Sequence, residues 1–350
     1  MKILVLSPYF YPHIGGSERY IEELYGELVK QNPEVEVDVL TYNTENAEKL
    51  ERYKNFNIYR VGCWEILPNQ FVLPNYFELI SLLKQLKKKN YSHVNAHTRF
   101  FDTAWWGWLA AKFFGAKSIL TDHCASHPQH KNFIVRMVAK IVDRLAMPLL
   151  YKAYQQITVV SQATKDFWVK SVNQSKKIIV IPNSVDDSLL AKKQVSDHKT
   201  SVRFVGRNVA TKGAGIFDEV IKELKPKYPK VVFERISGLS HDRVMRLLQQ
   251  TNILVHPSIH HEGLPTIILE AGLAECAVVA TNVGGTKELI KNGRSGILVE
   301  PSIAEVKFAV EKLLNEPSKA EKMGEELKQK VLKDYMWAKT ADKYNKLLSK

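Results

Sequence analysis

Short apolar segments alternate with longer amphipathic segments along the first half of the chain. The short segments lie at 3–6, 35–41, 93–96, 118–121, 157–160 and 178–181. Between them, apolar residues recur at helical spacing at 18–30, 76–88, 103–114 and 131–155. This alternation of strand and helix patterns predicts a parallel sheet with helices on both faces.

A polar segment, residues 183–201, interrupts the alternation, which then resumes. Strands are predicted at 202–205, 231–236, 253–256, 277–280 and 296–299. Helices are predicted at 214–224, at 241–250, after Pro265 and from Thr286. We therefore expect an α/β protein with two doubly wound, Rossmann-like domains facing each other across a cleft. The predicted domains are 1–182 and 202–334, joined by the linker 183–201. Ligands of such sheets bind beyond the carboxyl ends of the strands.

The composition is that of a soluble globular protein, with 45% hydrophobic and 25% charged residues among 350. The three cysteines, Cys63, Cys124 and Cys276, are too scattered for a disulfide framework. The first apolar segment is too short for a signal peptide. No uncharged apolar stretch approaches the roughly 18 residues of a membrane-spanning helix. We expect a cytoplasmic protein that touches a membrane, if at all, as a peripheral protein on its inner face.

The net charge of +13 is concentrated in one region. Residues 84–180 contain 16 Lys and Arg against 4 Asp and Glu, whereas residues 1–83 contain 7 against 12. A concentrated positive field favours nucleic acid, an anionic membrane or a phosphorylated substrate. Since no nucleic-acid-binding motif is found, nucleic acid is not expected as a partner. A solvated basic surface without a partner remains an alternative.

Two carboxylates, Glu262 and Glu270, lie eight positions apart around the predicted start of an apolar helix. Pro265 suits the first turn of that helix, which places Glu262 in the preceding loop and Glu270 about a turn and a half inside. Because an unpaired carboxylate among apolar residues is costly, a polar group such as a sugar hydroxyl is expected to meet Glu270. The alternative is a glutamate favoured only by the helix dipole.

Two other loops follow predicted strands and suit an anionic ligand. Gly15-Gly16 opens the first helix, where glycines let the backbone approach a ligand and free N–H groups favour an anion. Gly206-Arg207 and Lys212-Gly213 occupy the corresponding position of the second domain. Their two cations could bind a diphosphate, Arg207 as a fork and Lys212 as a point charge. A structural turn and a solvated basic loop are the alternatives.

In order and spacing these motifs resemble those of the family-four glycosyltransferases, retaining enzymes of the GT-B fold that use nucleotide-sugar donors. The resemblance runs almost from end to end. Its further matching pieces are Thr121-Asp122-His123, Val160-Ser161, Ile181-Pro182-Asn183-Ser184-Val185-Asp186 and Val283-Gly284-Gly285 with Glu288. It implies a terminal helix, residues 335–350, that crosses back to the first domain. It also implies transfer of a sugar to a glycan, a lipid-linked acceptor or another hydroxyl acceptor.

The resemblance assigns roles to particular residues. It implies that Arg207 and Lys212 hold the donor diphosphate, that Glu270 binds the ribose hydroxyls and that Glu262 faces the transferred sugar. His123 is implied beside the reacting carbon, which makes the expected catalytic set His123, Glu262, Arg207 and Lys212. The expected donor-binding set is Gly15, Gly16, Arg207, Lys212, Glu262, Gly263, Leu264, Pro265, Thr266 and Glu270. The donor is UDP- or GDP-linked and no further cofactor is expected. No D-x-D sequence occurs, so a metal on the diphosphate is not indicated.

Acceptor binding is expected in the first domain, at His97, Arg99, His123 and His127. The segment 123–130 contains four candidate zinc ligands, yet adjacent His and Cys side chains diverge and no second ligand pair stands at zinc-finger spacing. Loop residues lining an acceptor site are therefore the favoured interpretation of this segment.

The predicted helix 131–155 has an apolar stripe with cations beside it. The stripe consists of Phe133, Ile134, Met137, Val138, Ile141, Val142, Leu145 and Leu149, and the cations are Lys131, Arg136, Lys140 and Arg144. Such a helix suits the headgroup region of an anionic membrane, as expected for a lipid-linked acceptor. A core helix of the first domain is the alternative.

The sequence departs from the family pattern in the region 205–253, which is shorter by about one strand–helix unit. That region usually includes a loop near the base, so the nucleobase is left open. Leu273-Ala274-Glu275-Cys276-Ala277 also replaces the usual ending of the glutamate helix. The alternative functions are a nucleotide-sugar epimerase or hydrolase of the same fold and a catalytically silent nucleotide-sugar-binding protein. Use of Glu262 and Glu270 as a hydrolytic pair is a further alternative.

Overall fold

The computed structural model describes residues 1–67, 71–130, 132–186 and 200–349. The chain forms two compact units. The N-terminal unit comprises Met1–Pro182 together with Thr340–Lys350, and the C-terminal unit comprises Asn183–Lys339. Most of the predicted linker, residues 187–199, lies outside the described part of the chain.

The N-terminal unit is built on an eight-stranded sheet in the order β10-β9-β8-β7-β1-β2-β4-β3. All neighbouring strands are parallel except β3 and β4. The strands are β1 (Lys2–Leu6), β2 (Glu36–Tyr42), β3 (Leu50–Tyr53), β4 (Phe56–Val61), β7 (His93–His97), β8 (Lys117–Asp122), β9 (Gln156–Val159) and β10 (Ile178–Val180). A separate antiparallel pair is formed by β5 (Cys63–Leu67) and β6 (Phe71–Pro74).

Within the described residues, five helices connect these strands. They are α1 (Gly16–Gln31), α2 (Tyr76–Leu86), α3 (Thr103–Phe114), α4 (Phe133–Ala153) and α5 (Gln162–Val172). Buried residues of α2, α3, α4 and α5 belong to one core cluster with the inner strands. Since parallel crossovers are right-handed, α3, α4 and α5 lie on one face of the sheet and α1 lies on the other.

The C-terminal unit has a five-stranded parallel sheet in the order β12-β11-β13-β14-β15. Its strands are β11 (Ser201–Val205), β12 (Val232–Ile236), β13 (Ile253–His256), β14 (Ala277–Thr281) and β15 (Ile297–Val299). Its helices are α6 (Ala214–Leu224), α7 (His241–Gln249), α8 (Thr266–Leu273), α9 (Thr286–Leu289), α10 (Ile303–Asn315) and α11 (Pro317–Asp334). The predicted strands of this half lie within about a residue of these bounds.

The last helix, α12 (Trp337–Leu348), belongs to the N-terminal unit from Thr340 onward. The buried Tyr344 hydroxyl lies 2.9 Å from the Tyr25 hydroxyl of α1 and accepts a hydrogen bond from Asn95 Nδ2 of β7 at 2.6 Å. Asn95 also donates to Thr121 in β8. This polar cluster fixes the terminal helix on the sheet face that α1 occupies.

Several elements were absent from the sequence prediction. The strands between residues 50 and 74 form the edge of the sheet and a small hairpin, and their burial alternates only partly, so they have no strong period. Helices α5, α10 and α11 were also missed. Helix α4 begins at Phe133 because Asn132 Oδ1 accepts hydrogen bonds from the backbone N–H groups of Ile134 and Val135.

Candidate functional site

Three polar side chains of the C-terminal unit meet beyond the carboxyl end of β13. Glu262 accepts a hydrogen bond from Lys212 Nζ at 2.6 Å, and its other oxygen lies 3.0 Å from His256 Nε2. The Glu262 side chain is 15% exposed and that of Lys212 25%. Burial alone would raise the pKa of Glu262, but the charges and hydrogen bonds of His256 and Lys212 outweigh it. They hold that pKa well below its ordinary range, so the carboxylate is ionised.

The loop that positions Glu262 is packed backbone against backbone on the loop after β14. The Gly285 N–H donates to the Glu262 carbonyl at 3.0 Å, and the Gly284 N–H donates to His261 Nδ1 at 3.1 Å. A Cβ on Gly284 would lie 2.1 Å from the Glu262 carbonyl oxygen, and one on Gly285 would lie 1.9 Å from that of Gly263. Only glycine fits here, which explains the glycine pair that the sequence showed before Glu288.

Lys212 is positioned by a similar contact. It ends a short 3₁₀ turn, Ala210–Lys212, and is followed by Gly213 with φ of 74°. A Cβ on Gly213 would lie 1.8 Å from the carbonyl oxygen of Pro257, the residue that follows β13. The Ile259 N–H and the Ser258 hydroxyl both donate to the Thr211 carbonyl, at 3.0 and 3.1 Å. The loops bearing Lys212 and Glu262 are therefore fixed to each other before any ligand binds.

Glu270 lies in α8 and is buried, as its apolar neighbours required. Its Oε1 lies 3.2 Å from Nε2 of His241, the first residue of α7. Helix α8 begins at Thr266, so Pro265 is the N-cap residue and not part of the first turn as predicted. Pro265 has φ of −72° and ψ of 109°, and this extended conformation ends the loop. Leu264 accepts a hydrogen bond from Asn183 Nδ2 at 2.7 Å, while Gly263 packs under Gly285.

Arg207 is exposed on the loop that follows β11. That loop leaves the same carboxyl edge of the parallel sheet as the loop bearing Glu262. The structure thus brings Lys212, Glu262 and His256 into direct contact and leaves Arg207 facing solvent. Sequence reasoning missed His241 and His256 as partners of the two glutamates. The available signal was position, since His256 is the last residue of β13 and His241 is the first residue of α7, the helix after β12.

In the N-terminal unit, Gly15 caps α1 and Gly16 is its first residue. The buried Glu18 carboxylate folds back toward this pair, and a Cβ on Gly15 would lie 2.3 Å from it. Glu18 accepts a hydrogen bond from Ser17 at 3.0 Å and lies 3.1 Å from His13 Nδ1. An acidic side chain therefore lies beside the helix terminus that was predicted to attract a diphosphate.

His97 and His123 form a pair, with His97 Nδ1 3.1 Å from His123 Nε2. The edge of the Tyr20 ring packs on His123. Burial, and secondarily the neighbouring His123, lower the pKa of His97 well below its ordinary value. Burial also lowers the pKa of His123 to about 4. Both imidazoles are neutral at pH 7, so one ring donates and the other accepts.

The expectation that Arg99 faces an acceptor is wrong, because Arg99 is buried within the N-terminal unit. Its guanidinium donates to both oxygens of Asp143, at 2.9 and 3.0 Å, and to Asp122. It also donates to the carbonyls of Cys124 and Ser126. His127 Nδ1 reaches Asp143 at 2.7 Å. Arg99 therefore shapes the loop that bears His123 and His127, and a buried guanidinium requires this set of acceptors.

In the described ranges, no three His, Cys, Asp or Glu side chains are arranged to hold a metal ion. Nor does any helix of the described residues have the length and apolarity needed to cross a bilayer. The interpretation of 131–155 as a core helix is wrong for most of its length, because the apolar stripe of α4 is exposed. Lys131, at the predicted flank of that stripe, lies outside the described residues.

Both units of the chain are similar to known proteins. Residues 14–189 match the family model described as Glycosyltransferase Family 4, and residues 232–330 match that of Glycosyl transferases group 1. An uncharacterised glycosyltransferase of Methanocaldococcus jannaschii is 24% identical, with 100% of this chain and 98% of the relative covered. A human relative, one component of phosphatidylinositol N-acetylglucosaminyltransferase, is also 24% identical, over 99% of this chain and 75% of its own length.

Solved structures match the whole chain. Sucrose-phosphate synthase from Thermosynechococcus elongatus has a TM-score of 0.79 at 18% identity, covering 99% of this chain and 98% of the other. HepE of Anabaena, solved in complex with UDP, has a TM-score of 0.76 at 16% identity and covers 100% of both chains. These likenesses confirm the predicted fold class, an α/β protein of the GT-B type with two Rossmann-like domains.

The glycine contacts predict a difference between two alanine substitutions. Gly284 and Gly293 both have positive φ, so Gly284→Ala and Gly293→Ala share a backbone penalty of about 1 kcal/mol. A Cβ on Gly293 meets nothing within 4 Å, whereas one on Gly284 overlaps the Glu262 backbone. We expect Gly284→Ala to cost about 1–3 kcal/mol more in unfolding free energy, measured in urea. Equal losses in the two variants would contradict the packing described here.

Proposed function

The chain belongs to glycosyltransferase family 4, and from that membership we propose which residues perform its reaction and how. It is a nucleotide-sugar glycosyltransferase, as its family matches and homologues support. We propose that the C-terminal unit binds the donor and that the N-terminal unit binds the acceptor hydroxyl. The observation that carries the donor assignment is the largely buried, ionised Glu262 held between Lys212 and His256 at the carboxyl end of β13.

The chemistry of this cluster suits a sugar diphosphate. The Lys212 ammonium has three N–H donors, of which Glu262 uses one, so it can bind a phosphate oxygen without releasing the carboxylate. The two Glu262 oxygens have further lone pairs for the hydroxyls of the transferred sugar. Exposed Arg207, on the loop after β11, supplies the second cation for the diphosphate. The loop that bears Glu262 and the start of α8 contain the other proposed donor-binding residues, which are Gly263, Leu264, Pro265 and Thr266.

Glu270 is proposed to bind the ribose hydroxyls. It is buried and ionisable, and His241 is its partner at 3.2 Å. His241 lies in the shortened region 205–253, so the residue that orients Glu270 comes from the part of the chain where the family pattern is least complete. The nucleobase of the donor, UDP or GDP, is left to experiment. Gly15 and Gly16 are proposed to lie near the diphosphate during turnover.

We propose that the reaction retains the anomeric configuration and needs no metal. As the sugar becomes oxocarbenium-like, negative charge accumulates on the leaving diphosphate, and Lys212 and Arg207 stabilise it there. The leaving phosphate takes the proton of the acceptor hydroxyl. The anomeric configuration of the product, measured by NMR, tests retention, and full activity in EDTA tests metal independence. A product of inverted anomeric configuration would refute retention, and loss of activity in EDTA would refute metal independence.

The acceptor is proposed to be a glycan, a lipid-linked glycan or another hydroxyl compound. His123 is proposed beside the reacting carbon, in its neutral form, and His97 holds its ring at 3.1 Å. His127 lies on the same loop. Phosphatidylinositol N-acetylglucosaminyltransferase, the human relative, is named for a lipid acceptor. That name supports a lipid-linked acceptor here. We further propose a cytoplasmic enzyme that is peripheral on the inner face of a membrane.

Substitution of Lys212 tests the donor site. Lys212→Met removes the cation while keeping a long side chain, so the diphosphate loses a charged partner in the transition state. We expect acceptor-dependent nucleotide release to fall about 100-fold to 1,000-fold in kcat/KM. The matched control is Lys222→Met on α6, because Lys222 is exposed and pairs only with nearby Glu219 in the described contacts.

The outcomes separate the alternatives. Full activity of Lys212→Met, with activity of the control unchanged, would refute the donor assignment. Nucleotide release without any acceptor would indicate a hydrolase, and a changed nucleotide sugar without any acceptor would indicate an epimerase. Binding of donor without any product would indicate a silent binding protein. Circular dichroism of both variants shows whether the fold is retained.

A further inference from the structure

Helix α4 presents a continuous apolar surface to solvent. Its N-terminal three turns are exposed on most sides, and only its C-terminal part enters the core through Met147, Leu150 and Tyr151. Eight apolar side chains on one side of the helix are between 45% and 67% exposed. They are Phe133, Ile134, Met137, Val138, Ile141, Val142, Leu145 and Leu149. At 100° per residue these side chains share one side of the helix, hereafter the α4 face.

One edge of the α4 face is basic. Arg136, Lys140 and Arg144 follow each other at intervals of four residues, so they line up along the helix beside the apolar side chains. The single acidic residue of α4, Asp143, is 1% exposed and points inward to Arg99 and His127. The outer surface of α4 therefore consists of apolar and positively charged side chains.

Helix α3, next to α4, also presents exposed apolar side chains with lysines beside them. Leu109 and Phe113 of α3 are each 43% exposed, and α3 lies on the same sheet face as α4. Lys112 lies over the Trp108 ring and Lys87 over the Phe113 ring. Of the four acidic residues between 84 and 180, Asp122 and Asp143 are buried and Asp102 is partly buried. Only Asp166 is exposed among them, so few acidic side chains of residues 84–180 offset its cations at the surface.

We propose that the α4 face docks on an anionic lipid bilayer. Its apolar side chains enter the boundary between headgroups and acyl chains, and Arg136, Lys140 and Arg144 bind lipid phosphates at that level. This inference deepens the proposed function. The role of bilayer docking in presenting a lipid-linked acceptor rests on that function. Charge complementarity selects the bilayer over a second copy of the chain. A two-fold contact between two α4 faces would offer Arg136, Lys140 and Arg144 no acidic partner from α4, because its one acidic residue, Asp143, is buried.

Docking is linked to the loop that bears His123 and His127. That loop runs directly into α4, and Asp143 of α4 accepts hydrogen bonds from Arg99 and pairs with His127. Arg99 in turn holds the carbonyls of Cys124 and Ser126. Because Arg99 and Asp143 are buried and both are bonded to this loop, they tie it to α4. A bilayer under α4 therefore fixes the height of His123 above the lipid, where a lipid-linked hydroxyl would be presented.

The test is flotation of the full chain with vesicles, of phosphatidylcholine alone or with one third phosphatidylglycerol. We expect binding to the anionic vesicles, weaker binding in high salt and little binding to neutral vesicles. Leu145→Glu and Arg136→Glu are each expected to weaken binding about tenfold or more. The matched control is Leu50→Glu on the edge strand β3, because Leu50 is 64% exposed and Leu145 is 67% exposed. The control is expected to bind like the unmodified chain.

Three results would overturn the proposal. They are failure of the unmodified chain to bind anionic vesicles, unchanged binding of Leu145→Glu, and a dimer in solution that Leu145→Glu dissociates. The last would assign the α4 face to a second copy. Thermal protection by nucleotide sugars is measured in parallel without vesicles. Protection retained in Leu145→Glu shows that the donor site is intact, so a failure of docking is distinguished from a failure of the proposed function.

Discussion

The structure depends most on the ionised Glu262 carboxylate, which is largely withdrawn from water and held by Lys212 and His256. A buried charge without partners is destabilising, so the loops that bring these three residues together have to be rigid. Glycines at 213, 284 and 285 allow that, because each lies where a side chain would strike the backbone of a neighbouring loop. The contacts of these loops with one another thus assemble the cluster. A donor that binds there meets charges already in place, and little reorganisation is needed during the reaction.

A second buried charge network organises the N-terminal unit in the same manner. Arg99 joins β7 to the loop after β8 and to α4, through Asp122 and Asp143. Removal of Arg99 would leave the Asp122 and Asp143 carboxylates buried without its positive charge, which is costly. Burial, not this network, keeps His123 neutral beside His97. The network couples the loop of His123 and His127 to the exposed surface of α4. Buried charges therefore fix two loops, the one proposed to bind the donor and the one proposed to bind the acceptor.

The sequence predicted much of the fold because the alternation of apolar segments and the glycines are local signals. Glu262 and Glu270 could be placed in a loop and a helix from Pro265 alone. Their partners could not be predicted, because His256 and His241 belong to other elements. Which side chains pair across elements depends on how those elements pack. Arg99 was wrongly assigned to the acceptor site. The sequence places a cation after a strand but does not show whether its side chain faces solvent or a buried carboxylate. The exposure of α4 was undecidable from periodicity, because a core stripe and a membrane-facing stripe have the same spacing.

The central claim is that Lys212 and Glu262 belong to a site for a nucleotide diphosphate sugar. The most direct measurement is the thermal unfolding of the unmodified chain with a panel of UDP- and GDP-linked sugars, in parallel with Glu262→Gln. A ligand that binds only the folded state raises the unfolding temperature with its concentration. The account predicts that at least one nucleotide sugar protects the unmodified chain and that Glu262→Gln loses most of that protection. Equal protection of both proteins, or none of the unmodified chain by any donor, would contradict it.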